Sequence, residues 1–445
     1  MDTVETQSHL TTIQQNDPRL RRHVAVDVAV IGAGCVGLTT AACLAHLGHR
    51  VRCSDIDAER VARLAAGELD FVEEGLDQLV QEHVALGSLS FGRDNAWAVG
   101  NAEFTFLCLP TPETPDGRPD LVEHVVTEIG PHLVQDSILV TRSTVPVGST
   151  EVIQRLLGRP DVAVVSNPEF LREGAAVEDF LQPHRVVIGS DDEGAAMRLA
   201  SIFSPLSAPL IITDPRTAEM TKYAANAFLA TKVSFVNAIA ALCDVVGADI
   251  RQVTRGLGLD PRIGPAFLTP GPGWGGPCLA KDIASLVRTA EGAGVDFSLL
   301  REAVAINEKQ VGRVVDKVLH LAGGSIAERR VAMWGVTFKA GTSDRRHSPA
   351  VELAARFANL GASVSVYDPT LGSSLSGMHT AADPYAACDG AAVLVVATEW
   401  PEFQTLDFDK VGMLMKRRCV VDARNLLDPV AMKRAGFAYE GIGIP

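Results

Sequence analysis

The stretch Asp27-Val28-Ala29-Val30-Ile31-Gly32-Ala33-Gly34-Cys35-Val36-Gly37 decides the fold of the amino-terminal half of the chain. An apolar, β-rich run comes first and leads into a glycine-rich turn, after which residues 38–47 have the composition of a helix. A second β-rich run covers residues 50–54 and ends at Asp55. This order predicts a strand, a tight turn, a helix and a second strand.

The three glycines of this turn have separate tasks in a dinucleotide-binding fingerprint. Gly32 makes the turn, Gly34 lets a pyrophosphate approach the backbone, and Gly37 lets the helix pack on the strand. Asp55 lies 23 residues after Gly32, where a carboxylate binds the ribose 2′-hydroxyl and repels a 2′-phosphate. The sequence therefore predicts a site for NAD rather than NADP. Arg60 is a further candidate for contact with the adenosine ribose, and an ordinary solvated arginine is the alternative.

Further strands alternate with helical or turn segments, which predicts a mostly parallel sheet covered on both faces. These strands are predicted over residues 104–109, 137–141, 162–166 and 185–189. Functional residues then belong at the carboxyl ends of the strands, where the segments 109–112, 142–146 and 167–173 follow. In the last segment, Glu169 and Glu173 would share one face if the segment is helical, and paired carboxylates suit general-base work on water.

Residues 216–246 contain neither proline nor glycine and predict one helix of about 45 Å. Helices of that length usually bridge domains or pair subunits. Lys222 and Asn226 stand one turn apart on it, so their side chains point to the same place. A solvated lysine is the ordinary alternative, whereas a buried amide such as that of Asn226 demands hydrogen-bond partners.

A second glycine-rich stretch, residues 271–277, contains four glycines and two prolines and cannot form regular structure. The residues from Asp282 onward have helical spacing, so Cys278 lies where the loop enters a helix. A helix N-terminus favours the thiolate form of cysteine, Lys281 adds positive charge, and Asp282 offers a carboxylate within reach. Cys278 is therefore a candidate nucleophile, and a buried cysteine in a tight loop is the alternative.

The alternation of strands and helices restarts after residue 325. Strands are predicted over residues 330–336, 363–367, 391–397 and 419–422, with a helix over residues 349–360. This is a second doubly wound unit without the full glycine fingerprint, and its basic loop, residues 338–346, could meet a phosphate. Two nucleotide-binding domains flanking a reactive cysteine indicate one dinucleotide cofactor and one nucleotide-bearing substrate, and a purely structural second lobe is the alternative.

The composition limits the possible partners and compartment. The chain has 445 residues and a net charge of −14, which argues against nucleic acid or an anionic membrane as the main partner. Its eight cysteines are scattered without a CxxC pair or metal-ligand spacing, so we expect reduced thiols, a cytoplasmic location and no metal site. Residues 28–47 lack charged side chains, as a membrane anchor does, but their glycines fit the nucleotide turn better.

In combination these motifs resemble the nucleotide-sugar 6-dehydrogenase family, which includes UDP-glucose 6-dehydrogenases and GDP-mannose dehydrogenases. The resemblance covers residues 25–440. Beside the first glycine turn with Asp55, the motifs that carry it are Ser-Thr-Val-Pro-Val at 143–147, Asn-Pro-Glu-Phe-Leu-Arg-Glu at 167–173, Lys222 with Asn226, Arg-Ile-Gly at 262–264, Gly-Gly-Pro-Cys-Leu-Ala-Lys-Asp at 275–282, and Phe-Lys-Ala-Gly-Thr-Ser-Asp-Arg-Arg-His-Ser-Pro at 338–349.

The resemblance implies an α/β fold with two Rossmann-like doubly wound domains joined by a long central helix. We expect a flexible extension over residues 1–24, an NAD-binding domain over 25–213, a central helical and dimerisation domain with the cysteine loop over 214–326, and a nucleotide-sugar-binding domain over 327–445. A homodimer or higher homo-oligomer built on the long helix is also implied, with Arg262 reaching the substrate site of the neighbouring subunit.

The reaction that the resemblance implies is the NAD-dependent four-electron oxidation of a nucleoside-diphosphate glucose at C6 to the uronic acid, with UDP-glucose as the first choice of substrate. Cys278 would trap the intermediate aldehyde as a thiohemiacetal. A second oxidation would give a thioester, and water would release the acid, so that two NAD are used per sugar. Lys222 would stabilise the oxyanion, and Asn226 would help to polarise it.

The remaining residue roles also follow from the resemblance. Asp282 and a water held by Thr144 would move protons, and Glu173 would tune or assist hydrolysis. The implied NAD contacts are Gly32, Gly34, Val36, Gly37, Asp55, Arg60, Pro110, Thr111, Thr144, Glu173, Lys281 and Arg346. The implied substrate contacts are Glu169, Phe170, Leu171, Lys222, Asn226, Arg262, Gly275, Lys339 and Arg424.

The chain departs from the commonest family pattern around the cysteine. Pro277 stands where many relatives carry serine, and Leu279 and Ala280 stand where they carry Phe-Pro, which leaves the nucleotide open. dTDP-glucose is the main alternative to UDP-glucose, and GDP-mannose and UDP-N-acetyl-mannosamine are further ones. Outside this chemistry, a two-electron hydroxyacid dehydrogenase would release one NADH per substrate, and a non-catalytic nucleotide-binding protein would release none.

Overall fold

Two units, residues 1–224 and 225–445, make up the chain. Each contains one largely parallel β-sheet between two layers of apolar side chains, which confirms the predicted α/β class with two doubly wound parts. The computed structural model describes residues 11–13, 24–110, 120–372 and 377–445.

The sheet of the first unit has nine strands within the described residues. They are β1 (Thr11–Ile13), β2 (Asp27–Ile31), β3 (Arg50–Ser54), β4 (Leu89–Gly92), β5 (Phe104–Leu107), β6 (Ile138–Thr141), β7 (Ala163–Ser166), β8 (Val186–Gly189) and β9 (Leu210–Thr213). Their spatial order is β1-β9-β8-β7-β6-β5-β2-β3-β4, and neighbours are parallel except for β1 with β9 and β7 with β8. Because helices cover both faces, central strands such as β5 and β6 are buried along their whole length.

Helices of the first unit connect these strands. They are α1 (Cys35–His46), α2 (Ala58–Ala65), α3 (Leu76–Ala85), α4 (Asn95–Val99), α5 (Asp120–Ile129), α6 (Ser149–Leu157), α7 (Ala176–Leu181) and α8 (Glu193–Ile202), with a 3-10 turn at Gly130–His132. Val28 and Val30 of β2 pack into one apolar cluster, and Ala29 and Ile31 pack into another. Since successive side chains of a strand point to opposite faces, the sheet is filled on both sides.

Residues 11–13 fall within the segment predicted as an extension, and they form β1, paired with β9. The rest of residues 1–23 lies outside the described part of the chain, as does the predicted cofactor contact Thr111.

The predicted long helix is present as α9 (Pro215–Val246), 32 residues that begin in the first unit and end in the second. Asp214 caps it by accepting hydrogen bonds from the Thr217 N–H at 2.9 Å and hydroxyl at 2.6 Å, and Pro215 occupies the first helical position. Among the described residues it is the one helix long and apolar enough to cross a membrane. Its buried polar residues are hydrogen-bonded within the fold.

The second unit contains a six-stranded parallel sheet among the described residues. Its strands are β10 (Arg330–Trp334), β11 (Ser363–Tyr367), β12 (His379–Thr380), β13 (Val393–Val396), β14 (Cys419–Asp422) and β15 (Ala438–Gly441). Their spatial order is β12-β11-β10-β13-β14-β15. Its helices are α10 (Ile250–Gly258), α11 (Pro277–Gly292), α12 (Ser298–Ala322), α13 (Pro349–Asn359), α14 (Pro384–Cys388), α15 (Phe408–Leu414) and α16 (Pro429–Arg434), with a 3-10 helix at Pro401–Thr405.

Strand β10 ends two residues before the predicted boundary, at Trp334. Gly335 has a φ of +90°, and a Cβ there would lie 2.3 Å from the Cβ of Thr398, so the chain must turn at this position. The short strands β1, β4, β9, β12 and β15 were not predicted from the sequence.

Candidate functional site

The glycine turn between β2 and α1 has the geometry that a dinucleotide phosphate requires. Gly32 has a φ of +97°, and a Cβ there would lie 2.5 Å from the carbonyl oxygen of Cys108. A Cβ on Gly37 would lie 1.8 Å from the carbonyl oxygen of Gly32, whereas a Cβ on Gly34 would meet no atom within 4 Å. The helix begins without a side-chain cap, and uncapped N–H groups bind phosphate. The first unit therefore offers both space and donors to the cofactor.

Asp55 lies at the end of β3 and braces this turn. Its carboxylate accepts hydrogen bonds from the N–H groups of Ala33 at 2.8 Å and Asp57 at 2.9 Å. The Arg60 Nη1 lies 3.5 Å from Asp55 Oδ2, and the Arg60 Nε lies 3.1 Å from Asp70 Oδ2. A half-buried carboxylate thus stands beside the turn, as ribose binding requires. Val36 is half-buried in α1, and Pro110 is exposed just beyond β5.

Thr144 lies half-buried in the connection between β6 and α6. The neighbouring Ser143 hydroxyl donates to the carbonyl oxygen of Leu109 at 2.7 Å, so the connections that follow β5 and β6 are joined by a hydrogen bond. Two predicted segments are therefore adjacent at the carboxyl edge of the first sheet, where ligands bind in folds of this kind.

The segment that follows β7 is not helical, so the premise for a shared face of Glu169 and Glu173 does not hold. The chain stays irregular to residue 172 and turns at Glu173 and Gly174, which has a φ of +81°. Asn167 precedes a proline, which disfavours the α-region. Glu169 is buried and Glu173 is half-buried.

Lys222 and Glu169 form a buried ion pair in the first unit. The Lys222 Nζ lies 3.0 Å from Glu169 Oε1, and both side chains are nearly excluded from solvent. The Leu171 N–H donates to Glu169 Oε2 at 2.6 Å, and the Phe170 ring centroid lies 5.5 Å from Nζ. Burial alone would raise the pKa of Glu169, but Lys222, the Leu171 N–H and Arg142 outweigh it and hold that pKa below its usual value.

Two buried charges that were not predicted hold the ends of this segment. Arg142 donates from Nη1 to Asn167 Oδ1 at 2.7 Å. Glu73 accepts from the N–H groups of Gly174 and Ala176, both at 2.7 Å. Glu73 is 101 residues from Gly174 in the chain, so no local pattern could have identified the contact.

Cys278 lies in the first turn of α11, as predicted for a cysteine at the entry to a helix. The helix begins at Pro277 after Gly276, which has a φ of +83°. Of the eight cysteines, none is in a disulfide, and Cys278 is the exposed one. A Cβ on Gly275 would lie 2.2 Å from the carbonyl oxygen of His347, and one on Gly276 would lie 2.9 Å from the Phe338 ring, so the loop packs too closely for larger residues.

Polar side chains from α9 and α12 hold this cysteine loop in place. Asn237 Oδ1 accepts from the Gly271 N–H at 2.9 Å, and Gln310 Nε2 donates to the Gly271 carbonyl oxygen at 2.9 Å. The Asn307 amide accepts from the Trp274 N–H at 2.8 Å and donates to its carbonyl oxygen at 3.0 Å. The loop backbone is therefore fixed although it forms no regular structure.

One turn beyond the cysteine, α11 carries a buried carboxylate. Asp282 Oδ2 accepts from Asn226 Nδ2 at 2.6 Å, and both residues are buried. The Lys281 Nζ lies 3.6 Å from Asp282 Oδ1. The second unit therefore brings together Cys278, Asp282, Asn226 and Lys281 around one helix start, and the amide predicted to need a partner has one.

The basic loop after β10 contains Lys339, which is half-buried, and Arg346, which pairs with Asp344. Arg424 braces this loop by donating from Nη2 to the Phe338 carbonyl oxygen at 2.7 Å. Arg424 Nε also lies 3.0 Å from the Glu399 carboxylate.

The turn after β10 repeats the arrangement around Asp55. Asp368, at the end of β11, accepts from the Val336 N–H at 2.9 Å, as Asp55 accepts from the turn after β2. In each unit a carboxylate that directly follows a strand, β3 or β11, thus holds the turn after the neighbouring strand, β2 or β10.

Arg262 stands apart from these groups. It pairs with Asp260 in the turn after α10, and its side chain is 86% exposed. The carbonyl oxygen of the next residue, Ile263, accepts from Lys232 of α9 at 3.1 Å. This places Arg262 beside the long helix.

Family models match three consecutive parts of the chain. Residues 26–207 match the NAD binding domain of the UDP-glucose/GDP-mannose dehydrogenase family, residues 216–309 match its central domain, and residues 332–429 match its UDP binding domain.

Named proteins and solved structures resemble the chain over nearly its whole length. The UDP-glucose 6-dehydrogenase of Rhizobium meliloti is 42% identical over 434 residues, 94% of this chain and 99% of the relative. That of Pseudomonas aeruginosa is 41% identical over 441 residues, 94% of this chain and 97% of the relative. The structure of a UDP-glucose dehydrogenase from Pyrobaculum islandicum has a TM-score of 0.87 and 35% identity, and the match covers 96% of this chain and 99% of that chain.

Proposed function

The chain belongs to the UDP-glucose/GDP-mannose dehydrogenase family and is an NAD-dependent oxidoreductase, and we propose that it oxidises UDP-glucose at C6 to UDP-glucuronate. Relatives about 40% identical over most of their length are UDP-glucose 6-dehydrogenases, which supports this substrate over dTDP-glucose, GDP-mannose and UDP-N-acetyl-mannosamine. The family also disfavours the two-electron hydroxyacid and non-catalytic alternatives.

The glycine turn supports NAD as the oxidant. Space at Gly34, the uncapped start of α1 and the Asp55 carboxylate fit a pyrophosphate and a ribose with a free 2′-hydroxyl. When bound, NAD would supply the hydride acceptor for each of two oxidations at the substrate carbon. Residues of the chain must supply the rest of the chemistry, namely proton transfer, oxyanion stabilisation and retention of the aldehyde.

Cys278 supplies the covalent step. Its sulfur attacks the C6 aldehyde and forms a C–S bond, and the resulting oxyanion takes a proton to give a thiohemiacetal. The second oxidation removes a hydride from C6 and a proton from the hydroxyl, which leaves a thioester. Water then adds to the thioester carbonyl, the C–S bond breaks, and the carboxylate leaves while the sulfur is restored. The covalent bond retains the aldehyde between the two oxidations.

Lys222 and Asn226 stabilise the negative charge that develops on the substrate oxygen. They lie one turn apart on α9, and each is held by a carboxylate, Glu169 for Lys222 and Asp282 for Asn226. Donors whose positions are fixed before the reaction stabilise an oxyanion more than mobile ones do. Asp282 and a water at Thr144 carry protons, and Glu173 assists hydrolysis.

The remaining polar groups bind the substrate and the cofactor. Lys339 would bind the phosphate or the sugar of the substrate, Arg424 fixes the loop that carries Lys339, and Arg346 and Lys281 are assigned to cofactor binding. Glu169, Phe170, Leu171 and Gly275 line the sugar site.

The observation that carries the proposal is the exposed Cys278 one turn before a buried Asp282 that is bonded to Asn226. The test is the ratio of NADH formed to UDP-glucose consumed, measured beside dTDP-glucose, GDP-mannose and UDP-N-acetyl-mannosamine. We expect a ratio of two with UDP-glucose. The Cys278→Ser variant should bind NAD and unfold as the wild type does but form no acid. A ratio of one, or acid formation by Cys278→Ser, would contradict the covalent route.

We propose further that the chain acts as a homodimer built on α9. Phe228, Phe235 and Leu242 recur at seven-residue intervals on this helix and are 66%, 52% and 56% exposed. Seven-residue apolar spacing is typical of paired helices, and an exposed apolar stripe favours association. Arg262 extends beside this helix, which supports its assignment to the neighbouring subunit's substrate site.

We propose a cytoplasmic location, because eight cysteines without a disulfide are typical of a protein in a reducing compartment.

A further inference from the structure

Glu219 is a buried carboxylate that neither the sequence motifs nor the proposed mechanism uses. It lies on α9 three residues before Lys222 and is 3% exposed. Its Oε2 accepts from the Gly148 N–H at 2.5 Å, and its Oε1 accepts from the Thr150 N–H at 2.9 Å and the Thr150 hydroxyl at 2.7 Å. Every one of these donors belongs to the start of α6.

The start of α6 directly follows the connection that contains Thr144. Residues 142–148 form that connection, and Gly148, with a φ of +93°, ends it. The carboxylate of Glu219 therefore joins two proposed catalytic elements, the turn of α9 that precedes Lys222 and the turn of chain that follows Thr144.

Burial of a carboxylate is energetically unfavourable because the charged group loses its hydration, so packing alone does not explain a glutamate at this position. Burial raises the pKa of Glu219, and the three donors offset only part of that effect. What the charge contributes is directional strength, because charge-assisted hydrogen bonds to a helix N-terminus are shorter and stronger than neutral ones. Such a bond restricts how far the two elements can slide past each other.

We propose that Glu219 is a positioning residue that fixes the place of Lys222 relative to the Thr144 connection during the oxidation. This role rests on the proposed function, because it acts through Lys222. Glu219 touches neither substrate nor cofactor in this scheme. A purely structural helix cap would affect stability alone. Replacing Glu219 should instead lower kcat, and it should do so only when Lys222 is present.

The chain provides a matched control on the same two helices. Arg216 of α9 and Glu151 of α6 form an exposed ion pair, with Arg216 Nη2 2.7 Å from Glu151 Oε2. Glu151→Gln removes a carboxylate between α6 and α9 at the surface, as Glu219→Gln removes one in the interior. Exposed pairs contribute little to stability.

The experiment compares Glu219→Gln with Glu151→Gln in the UDP-glucose assay. A glutamine can accept with only one oxygen, and its NH₂ group would face an N–H donor. We expect kcat to fall about 10- to 100-fold in Glu219→Gln, the scale of a misplacement by about 1 Å, while the NAD dissociation constant changes less than about twofold. Glu151→Gln should keep the wild-type kcat.

A double-mutant cycle with Lys222→Met separates positioning from structural damage. If Glu219 acts through Lys222, Glu219→Gln should cause little further loss of kcat in the Lys222→Met background. An equal fold-loss in both backgrounds, or an unchanged kcat in Glu219→Gln, overturns the role. If Glu219→Gln does not fold, Thr150→Val takes its place in the cycle, with Thr150→Ser as the variant that keeps the hydroxyl and the wild-type kcat.

The wild type in the same assay keeps the two proposals apart. A wild type that forms no NADH with UDP-glucose refutes the proposed function and this role with it. An active wild type together with an unaffected Glu219→Gln refutes the positioning role alone.

Discussion

Replacing Lys222 by methionine should destabilise the first unit in a manner that depends on pH. The substitution shortens the unbranched side chain by one atom and removes its charge, which leaves the Glu169 carboxylate buried without the cation 3.0 Å away. Removing one partner of a buried ion pair costs about 3–5 kcal/mol. Because the Leu171 N–H still donates to Glu169, we expect a value near the lower end, about 3 kcal/mol at neutral pH.

The pH dependence follows from the pKa of Glu169. In the wild type this pKa is below its unfolded value, so the pair contributes stability above the unfolded pKa and loses it as the pH falls through the folded pKa. In Lys222→Met the cation that lowers the pKa of Glu169 is absent, so the effect of burial is less opposed and this pKa should rise. The deficit in unfolding free energy relative to the wild type is then largest at neutral pH and narrows in acid, where the variant's carboxyl becomes protonated.

The assay is urea denaturation followed by circular dichroism, with hydrogen exchange of the amides in β7 and the first part of α9 as the local probe. Lys222→Met/Glu169→Gln serves as the control, since it removes the stranded charge and keeps an acceptor for the Leu171 N–H. It should recover stability to within about 1 kcal/mol of the wild type without recovering turnover. A Lys222→Met variant whose deficit does not change with pH, or a double variant that is no more stable than the single one, would refute this account of the pair.

Two further predictions concern the cofactor and the dimer. Asp55→Asn should keep the hydrogen bond from the Ala33 N–H but should no longer repel a 2′-phosphate. The ratio of kcat/KM for NAD to kcat/KM for NADP should therefore fall about tenfold or more. An unchanged ratio would show that Asp55 does not select the cofactor. If the proposed dimer forms through α9, Phe235→Glu should convert it to monomer in sedimentation velocity, because the substitution places a charge in the apolar stripe. Met413→Glu, on the exposed surface of α15, should leave it intact. A dimer that persists in Phe235→Glu would exclude this face.

The parts of the fold that could be predicted are those in which neighbouring residues carry the signal. Short β-rich runs identified β2 and β3, and the absence of proline and glycine over residues 216–246 identified α9, each within one residue of its observed bounds. Strand β12 has two residues and pairs through Ser365 and Val366 of β11, so its own sequence contains no strand period. The helix considered for Glu169 and Glu173 fails because Pro168 and Gly174 flank the segment.

The candidate site divides in the same way. Cys278 could be predicted because the glycine loop and the helix start lie beside it in the chain, and the same holds for Asp55 after β3. The groups that hold the reactive side chains could not be predicted, because they are distant in sequence. Glu73 and Gly174 are 101 residues apart, and Asn226 and Asp282 are 56 residues apart. Sequence spacing shows that a buried polar group needs a partner, but only the fold supplies the partner's identity.

Helix α9 shows why that distinction matters for function. By composition and length it could cross a membrane, yet it carries Glu219, Lys222 and Asn226 along one face. Each of these finds a different partner, the start of α6, the Glu169 carboxylate or the Asp282 carboxylate. Burying three such groups in an apolar helix would be strongly unfavourable without those bonds. Each partner belongs to a segment that the proposed reaction uses, or to the turn beside such a segment. The chemistry that α9 supports therefore explains both its polar residues and its position in the fold.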